Sequence, residues 1–179
     1  MRFVFIITLF LIVNVSLAQK YTSDKSIVTF YSHAPIEDIM ATNTKSSSIF
    51  DLTHLFVVFS IPIKDFQFAK RLMQEHFNEK YMETEKYPNA IFQGKLVDFN
   101  TQTKDIQQVK AHGKMTIHGV TKEMDAVGTV EYQGDIIVMK SIFIIVLEDY
   151  MVSRPQLLWK NIAEKVEVTI EFTYIAKTM

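Results

Sequence analysis

The chain has 179 residues, with 19 Lys and Arg against 20 Asp and Glu, and no cysteine. A formal net charge of −1 offers no electrostatic argument for nucleic acid or for an acidic membrane surface. Without cysteine, disulfides, thiol catalysis and lipid attachment at a cysteine are excluded. Stability has to come from burial, which an apolar fraction of 48% allows.

The first elements in the chain are a leader and a cut. Arg2 precedes the apolar run "FVFIITLFLIVNV", and the small residues Ser16 and Ala18 stand just before Gln19. This is the tripartite pattern of a secretory signal peptide. The run is shorter than the roughly 20 residues that a spanning helix prefers. The expectation is a leader over 1–18 and one domain over 19–179, exported to the periplasm or the medium. Removing 18 of 179 residues leaves 161, and losing Arg2 takes the formal charge from −1 to −2. A length of that order suffices for one domain with a sizeable core.

Most of the remainder alternates with period two, the mark of half-buried antiparallel strands with one wet face. "SIVTF" (26–30) points Val28 and Phe30 one way. "TNTKSSS" (42–48) reads as a loop. "LFVVFSIPI" (55–63) turns Leu55, Val57, Phe59, Ile61 and Ile63 inward. The next segment breaks the period. "KDFQFAKRLMQEHFNEKYM" (64–82) carries Phe68, Leu72 and Met73 at helical spacing, with Phe77 further on. It predicts a helix over about 66–79, with Asp65 as N-cap and Arg71, Glu75 and Glu79 outside. Glu75-His76 reads as a solvated pair.

Strands resume after Pro88. "AIFQGKL" (90–96) puts Ala90, Phe92, Gly94 and Leu96 on one face. "VKAHGKMTI" (109–117) does the same for Val109, Ala111, Gly113, Met115 and Ile117. "MDAVGTVEY" (124–132) sets Met124, Ala126, Gly128, Val130 and Tyr132 inward. In "IIVMKSIFIIVL" (136–147) the exposed Lys140 argues that Ile137, Met139, Ser141, Phe143 and Ile145 face in. A short helix is expected around Pro155–Ile162, and "VEVTIEFTY" (166–174) closes the series with Val166, Val168, Ile170, Phe172 and Tyr174 inward. Hairpin turns are expected at His118-Gly119 and Gln133-Gly134.

A mostly antiparallel chain must manage its sheet edges, and closing into a barrel removes them. About eight strands enclose an interior that is either filled by side chains or holds one small ligand. A sandwich is the alternative that strand count leaves open. Gly94, Gly113 and Gly128 fall on the inward phase of three successive strands, which leaves room for strand coiling, a neighbouring side chain or a ligand. The helix stripe of Phe68, Leu72, Met73 and Phe77 either packs on the barrel or covers its mouth and lines an apolar tunnel. Methionine suits such a lining because its shape adapts to flexible chains.

Catalytic constellations are missing from the sequence. The five histidines (His33, His54, His76, His112 and His118) show neither HxxxH nor HExxH spacing, so no metal site is expected. There is no GxSxG elbow, no GxGxxG and no P-loop. Glu148 and Asp149 are neighbours, and on a strand they would point to opposite faces. His118, Thr121 and Lys122 read as turn and exterior.

Two separated stretches resemble the YceI-like family. The first is "FSIPIKDFQFAKRLMQEHFNEKYMETEKYPNAIFQGKL", through Phe77-Asn78-Glu79, Tyr81, Tyr87-Pro88, Ala90, Phe92 and Gly94. The second is "GKMTIHGVTK", through Gly113 and Met115 to Lys122. The order and spacing of the strands agree over roughly Ser26 to Ala176. The chain departs from the family near its C-terminal strand pair, where "LEDYMVSRPQLLW" lacks the usual arginine and glycine.

The resemblance implies an all-β, eight-stranded antiparallel, lipocalin-like barrel with one helical insertion near its mouth. It also implies non-catalytic binding or transport of a long apolar lipid of the polyisoprenoid, isoprenoid quinone or fatty acid amide class. No cofactor is expected beyond such a bound lipid. The expected partner is the lipid itself, with no nucleic acid and no membrane insertion after cleavage; a homodimer is compatible with the sequence. The candidate lining is Val57, Phe59 and Ile61; Phe68, Leu72, Met73 and Phe77 on the helix; Phe92 and Gly94; Gly113 and Met115; Gly128; Phe143; and Ile170 and Phe172. Two other readings remain: a fully packed structural or interaction barrel without ligand, and an enzyme acting on a small hydrophobic molecule.

Overall fold

Ten strands carry the period-two alternation in the computed structural model, which describes residues 20–33, 38–152 and 163–176. They are β1 Lys20–Ser32, β2 Ile39–Asn43, β3 Ser47–Asp51, β4 Phe56–Pro62, β5 Gln67–Phe68, β6 Asn89–Val97, β7 Gln107–Ile117, β8 Val120–Gln133, β9 Ile136–Val146 and β10 Lys165–Ala176. Among the described residues the single α-helix, α1, spans Arg71–His76.

Each strand from β7 to β10 pairs antiparallel with its predecessor, β6 pairs with β4, and β10 returns to β1 with registers running from Tyr21↔Ala176 to Tyr31↔Glu167. That pairing closes the ring β1-β3-β4-β6-β7-β8-β9-β10, a closed antiparallel barrel of eight strands. Closure satisfies the backbone groups that an open edge would expose. The expected barrel is therefore the observed one, and the sandwich is not.

The stave beside β1 is split in two. β3 pairs with the start of β1 (Lys20↔Asp51) and β2 with its end (Ser32↔Ile39). The 42–48 stretch expected to be a loop thus belongs mostly to these two strands, and only residues 44–46 lie between them. Their polar composition hides the strands, because tertiary bonds satisfy the side chains. Asn43 is fully buried; its Nδ2 donates to the Pro62 carbonyl at 2.7 Å, and its Oδ1 accepts from the Lys45 N–H at 2.7 Å. Ser48 Oγ lies 2.8 Å from the Val58 carbonyl and 2.6 Å from the Tyr174 hydroxyl.

The helical segment also differs from the expected 66–79. Gln67 and Phe68 are extended because they pair with Thr42 and Ala41 of β2. The helix starts only after Lys70, whose own backbone is still extended, and Asp65 caps nothing because its carboxylate meets Lys45 Nζ at 2.9 Å. After His76 the coil widens into a π-turn over Phe77–Tyr81, closed by Met82 N–H to the Phe77 carbonyl at 2.9 Å.

Two turns complete the walls. His118 (φ 50°) and Gly119 (φ 76°) make the expected β7–β8 hairpin. The β8–β9 turn sits one residue later than expected, at Gly134-Asp135, with Gly134 at φ 65°. Glu148 and Asp149 lie in a 3-10 turn (Leu147–Tyr150) rather than on a strand. The helix expected around Pro155–Ile162 and the leader over 1–18 lie outside the described residues, apart from which no described helix is long and apolar enough to cross a membrane.

Candidate functional site: an apolar chamber under the helix

The inward faces do not fill the barrel evenly. At one end, Tyr21, Phe50, Phe99 and Tyr174 close the base, with Phe50 touching each of the other three rings at centroid distances of 6.1–6.5 Å. Tyr174 and Phe50 are fully buried, and burial pushes the Tyr174 phenol well above its ordinary pKa. At the other end the walls enclose a chamber of about 410 Å³. That volume lies in the roughly 300–1,000 Å³ range of small-molecule sites.

The chamber is built from the ends of β1, β4, β7 and β9 and the starts of β6 and β10, with the α1 segment across the top. Phe77 holds that segment down. Its ring stacks on Phe30 at 5.3 Å and meets Phe68 at 4.9 Å and Phe66 at 5.9 Å. The far side of the segment is pinned as well. His118 Nε2 lies 2.8 Å from Glu83 Oε2, and the His118 ring packs on Tyr87 at 4.4 Å. The expected exterior position of His118 is corrected here: its side chain is only 9% exposed, because Tyr87 and Glu83 cover it. Thr121 and Lys122 are exposed as expected.

Seven of the candidate lining residues face the chamber: Ile61, Phe68, Leu72, Met73, Phe77, Met115 and Phe143. Leu72 does so from the rim, at 62% exposed. Val57, Phe59, Phe92, Gly128 and Ile170 instead surround a void of about 50 Å³ in mid-barrel, whose wall also includes Ile61, Met115 and Phe143.

Gly94, Gly113 and Phe172 line neither space. Phe172 is fully buried, with Phe59 at 4.8 Å and Tyr174 at 6.4 Å. Gly94 and Gly113 are register partners at a close approach of β6 and β7. A Cβ on Gly113 would stand 2.2 Å from the Gln93 carbonyl oxygen, and one on Gly94 would stand 2.6 Å from the tip of Phe92. The space they leave is taken by neighbouring strand and ring, so here it is strand coiling that requires glycine.

Sequence reasoning missed part of the wall. Val28, Phe30 and Ser32 of β1 face the chamber, as do Tyr81, Met82 and Ala90. The inward phase of Val28, Phe30, Ser32 and Ala90 on their strands was the available signal; Tyr81 and Met82, at the end of the π-turn, had none. Lys70 and His76 also line it, so the Glu75-His76 pair does not act together: Glu75 meets Arg71 Nε at 2.9 Å while His76 turns to the chamber.

Chemically the site is a wall of carbon with a few donors near its mouth. Among the described residues no three His, Asp or Glu side chains gather where a metal could be held. The other charged contacts lie outside, such as Asp125 between Lys110 and His112; these two hold its carboxyl below the usual range.

Comparison with known proteins agrees with this geometry. No curated protein matches the sequence. Among solved structures, a polyisoprenoid binding domain from Saccharophagus degradans, implicated in plant cell wall breakdown, superposes with a TM-score of 0.77 at 16% identity, covering 90% of this chain and 100% of that one. BcnA of Burkholderia cenocepacia gives 0.70 at 17% identity, covering 83% and 95%. A Campylobacter jejuni YCEI protein gives 0.65 at 17% identity, covering 82% and 90%. The YceI-like domain family matches residues 20–174, and the chain belongs to that family.

Proposed function

We propose that this protein binds a long apolar lipid in the chamber and carries it without chemical change. The observation that bears most weight is the chamber itself: about 410 Å³ bounded almost wholly by aliphatic and aromatic side chains, closed at the base and roofed by a separate helical segment. Such a site gains affinity from apolar area removed from water, at roughly 25 cal/mol per Å² before ordering costs. A similar structure described as a polyisoprenoid binding domain supports the polyisoprenoid class, with isoprenoid quinones and fatty acid amides sharing the same physical requirement. The candidate lining carries over as the seven residues that face the chamber, with no catalytic role assigned to any.

Export to the periplasm or the medium belongs to the same proposal and is supported by the leader-like sequence before Gln19. The test is mass spectrometry of solvent extracts from the natively purified protein. A long apolar lipid at near-equimolar amount is expected. Repeated extracts without lipid, together with a chamber filled by side chains in a crystal structure, would favour the packed barrel instead.

A further inference from the structure

We infer that a side window in the barrel wall, between β8 and β9, holds the far end of the bound lipid, and that this lipid is a single uncharged chain longer than the chamber. This rests on reading the chamber as a lipid site and specifies where the tail of that lipid lies.

β8 and β9 separate partway along the barrel. Their register pairs run only from Gln133↔Ile136 to Gly128↔Ser141. Beyond that point β8 keeps its β7 partners, from Lys110↔Val127 to Ile117↔Val120, and β9 keeps its β10 partners, from Ile142↔Thr169 to Val146↔Lys165. Among the described residues no register pair joins β8 to β9 there. Gly128 marks the parting: a Cβ on it would stand 2.3 Å from the Lys140 carbonyl oxygen, so the strands approach closely and then diverge. Ser141 Oγ donates to the Val127 carbonyl at 2.6 Å, a side chain standing in for a main-chain partner. At the other end of the window, Lys122 Nζ meets Asp149 Oδ1 at 2.6 Å. Residues 123–127 lie between these two closures, about 17 Å of strand.

The inward side chains register the opening. Ala111, Met115 and Ile117 on β7 are buried, whereas Met124 and Ala126 on β8 and Phe143 on β9 share the inward phase and are only half-buried. Those three bound the mid-barrel void, and Phe143 bounds the chamber as well, so one apolar surface runs from the chamber to the window. The outer lip continues it with Val127, Ile142 and Ile144, which are 63%, 61% and 52% exposed. The bordering lysines Lys110, Lys122 and Lys140 are paired with Asp125, Asp149 and Glu171, which takes their charge away from an anionic partner. A neutral hydrocarbon gains by covering the lip. A chain too long for the chamber cannot continue downward, because Tyr21, Phe50, Phe99 and Tyr174 close the base. Turned sideways through the window, its tail stays on apolar surface.

The experiment compares uptake of hexadecane and squalene by the delipidated protein, read by gas chromatography of extracts after gel filtration. Val127 and Ile142 stand one step beyond the last register pair and line neither interior space, so Val127→Cys/Ile142→Cys staples the window from outside in a chain without other cysteines. Ile142→Glu/Ile144→Lys makes the lip polar at unchanged net charge, and it decides alone if the thiols do not close. The wild type is expected to take up both hydrocarbons. The squalene-to-hexadecane ratio should fall about 10-fold in the oxidised staple and about 5-fold in the polar-lip variant, as the tail loses its apolar contact. Reduction of the staple should restore the ratio, and hexadecane uptake, unchanged throughout, reports an intact chamber. A ratio unmoved in both variants, or a wild type that takes hexadecane but no squalene, would overturn the window and leave the lipid chamber standing. So would a wild-type dimer that the polar lip converts to monomer without moving the ratio, since the lip would then be a contact between copies. Uptake of neither hydrocarbon would overturn both readings.

Discussion

The Tyr174 hydroxyl lies 2.6 Å from Ser48 Oγ, and Ser48 Oγ lies 2.8 Å from the Val58 carbonyl. A carbonyl only accepts, so the serine hydrogen goes to Val58 and the phenol must donate to the serine. This directed chain ties β10 to β3 and β4 across the base of the barrel. Tyr174→Phe removes the donor and leaves the serine bonded, so it should cost about 1 kcal/mol. Ser48→Ala strands a buried phenol hydrogen and should cost about 2–3 kcal/mol although it deletes a single atom. Urea denaturation of both variants checks the order; a larger loss for Tyr174→Phe would contradict the assigned direction.

Space in the barrel is unevenly distributed, and two small residues report on it. Gly113→Ala forces a methyl to within 2.2 Å of the Gln93 carbonyl oxygen and 2.5 Å of Gly94 Cα, both backbone atoms that cannot swing away. It should destabilise by about 2 kcal/mol or more. Ala90 lines the chamber, so Ala90→Leu can extend into empty volume. Its stability should change by less than about 1 kcal/mol, while lipid uptake falls as the chamber shrinks. Thermal unfolding and lipid extraction on the two variants separate these effects.

The roof segment should loosen when its outer pin is removed. His118 links Glu83 and Tyr87 to the β7–β8 hairpin, away from the chamber wall. His118→Ala should therefore accelerate exchange of a bound lipid several-fold and lower hydrogen-exchange protection across residues 77–88, with the strand amides little affected. Unchanged exchange in that segment would show that the Phe77 cluster holds the roof alone.

Acid should weaken the base loop through Asp51. Its side-chain bond to His54 Nδ1 (2.9 Å), together with backbone bonds from His54 (3.1 Å) and Thr53 (3.0 Å), holds its carboxyl below the ordinary range. A depressed folded pKa means that the contribution is present above the unfolded value of about 3.9 and lost as pH falls through the lower folded one. The stability gap between the wild type and Asp51→Asn should be widest above about pH 4 and close below it. Urea midpoints across that range measure it.

The sequence was legible where a strand has one wet face. The inward and outward sets of β4, β6, β7 and β10 follow from alternation alone. β2 and β3 were hidden because Asn43, Ser46 and Ser48 look like loop residues until their tertiary partners are seen. That same gap displaced the helix start, since Phe68 becomes extended only because β2 offers it a partner at Ala41. The glycines had the inward phase expected, but what each one faces depends on the distance between neighbouring strands, which sequence does not carry. His118 has the form of an exposed turn residue, and only the return of the 83–88 segment over the hairpin buries it.

The split stave has a mechanical consequence. β3 is locked between β1 and β4 over five register pairs on its β4 side, whereas β2 reaches β5 through only the two pairs Ala41↔Phe68 and Thr42↔Gln67. Parting those two pairs would spread the rim like the jaws of a collet, and the ring below would stay clamped. On the proposed lipid-carrying role, loading and unloading would be a local event at one seam, uncoupled from the stability of the barrel as a whole.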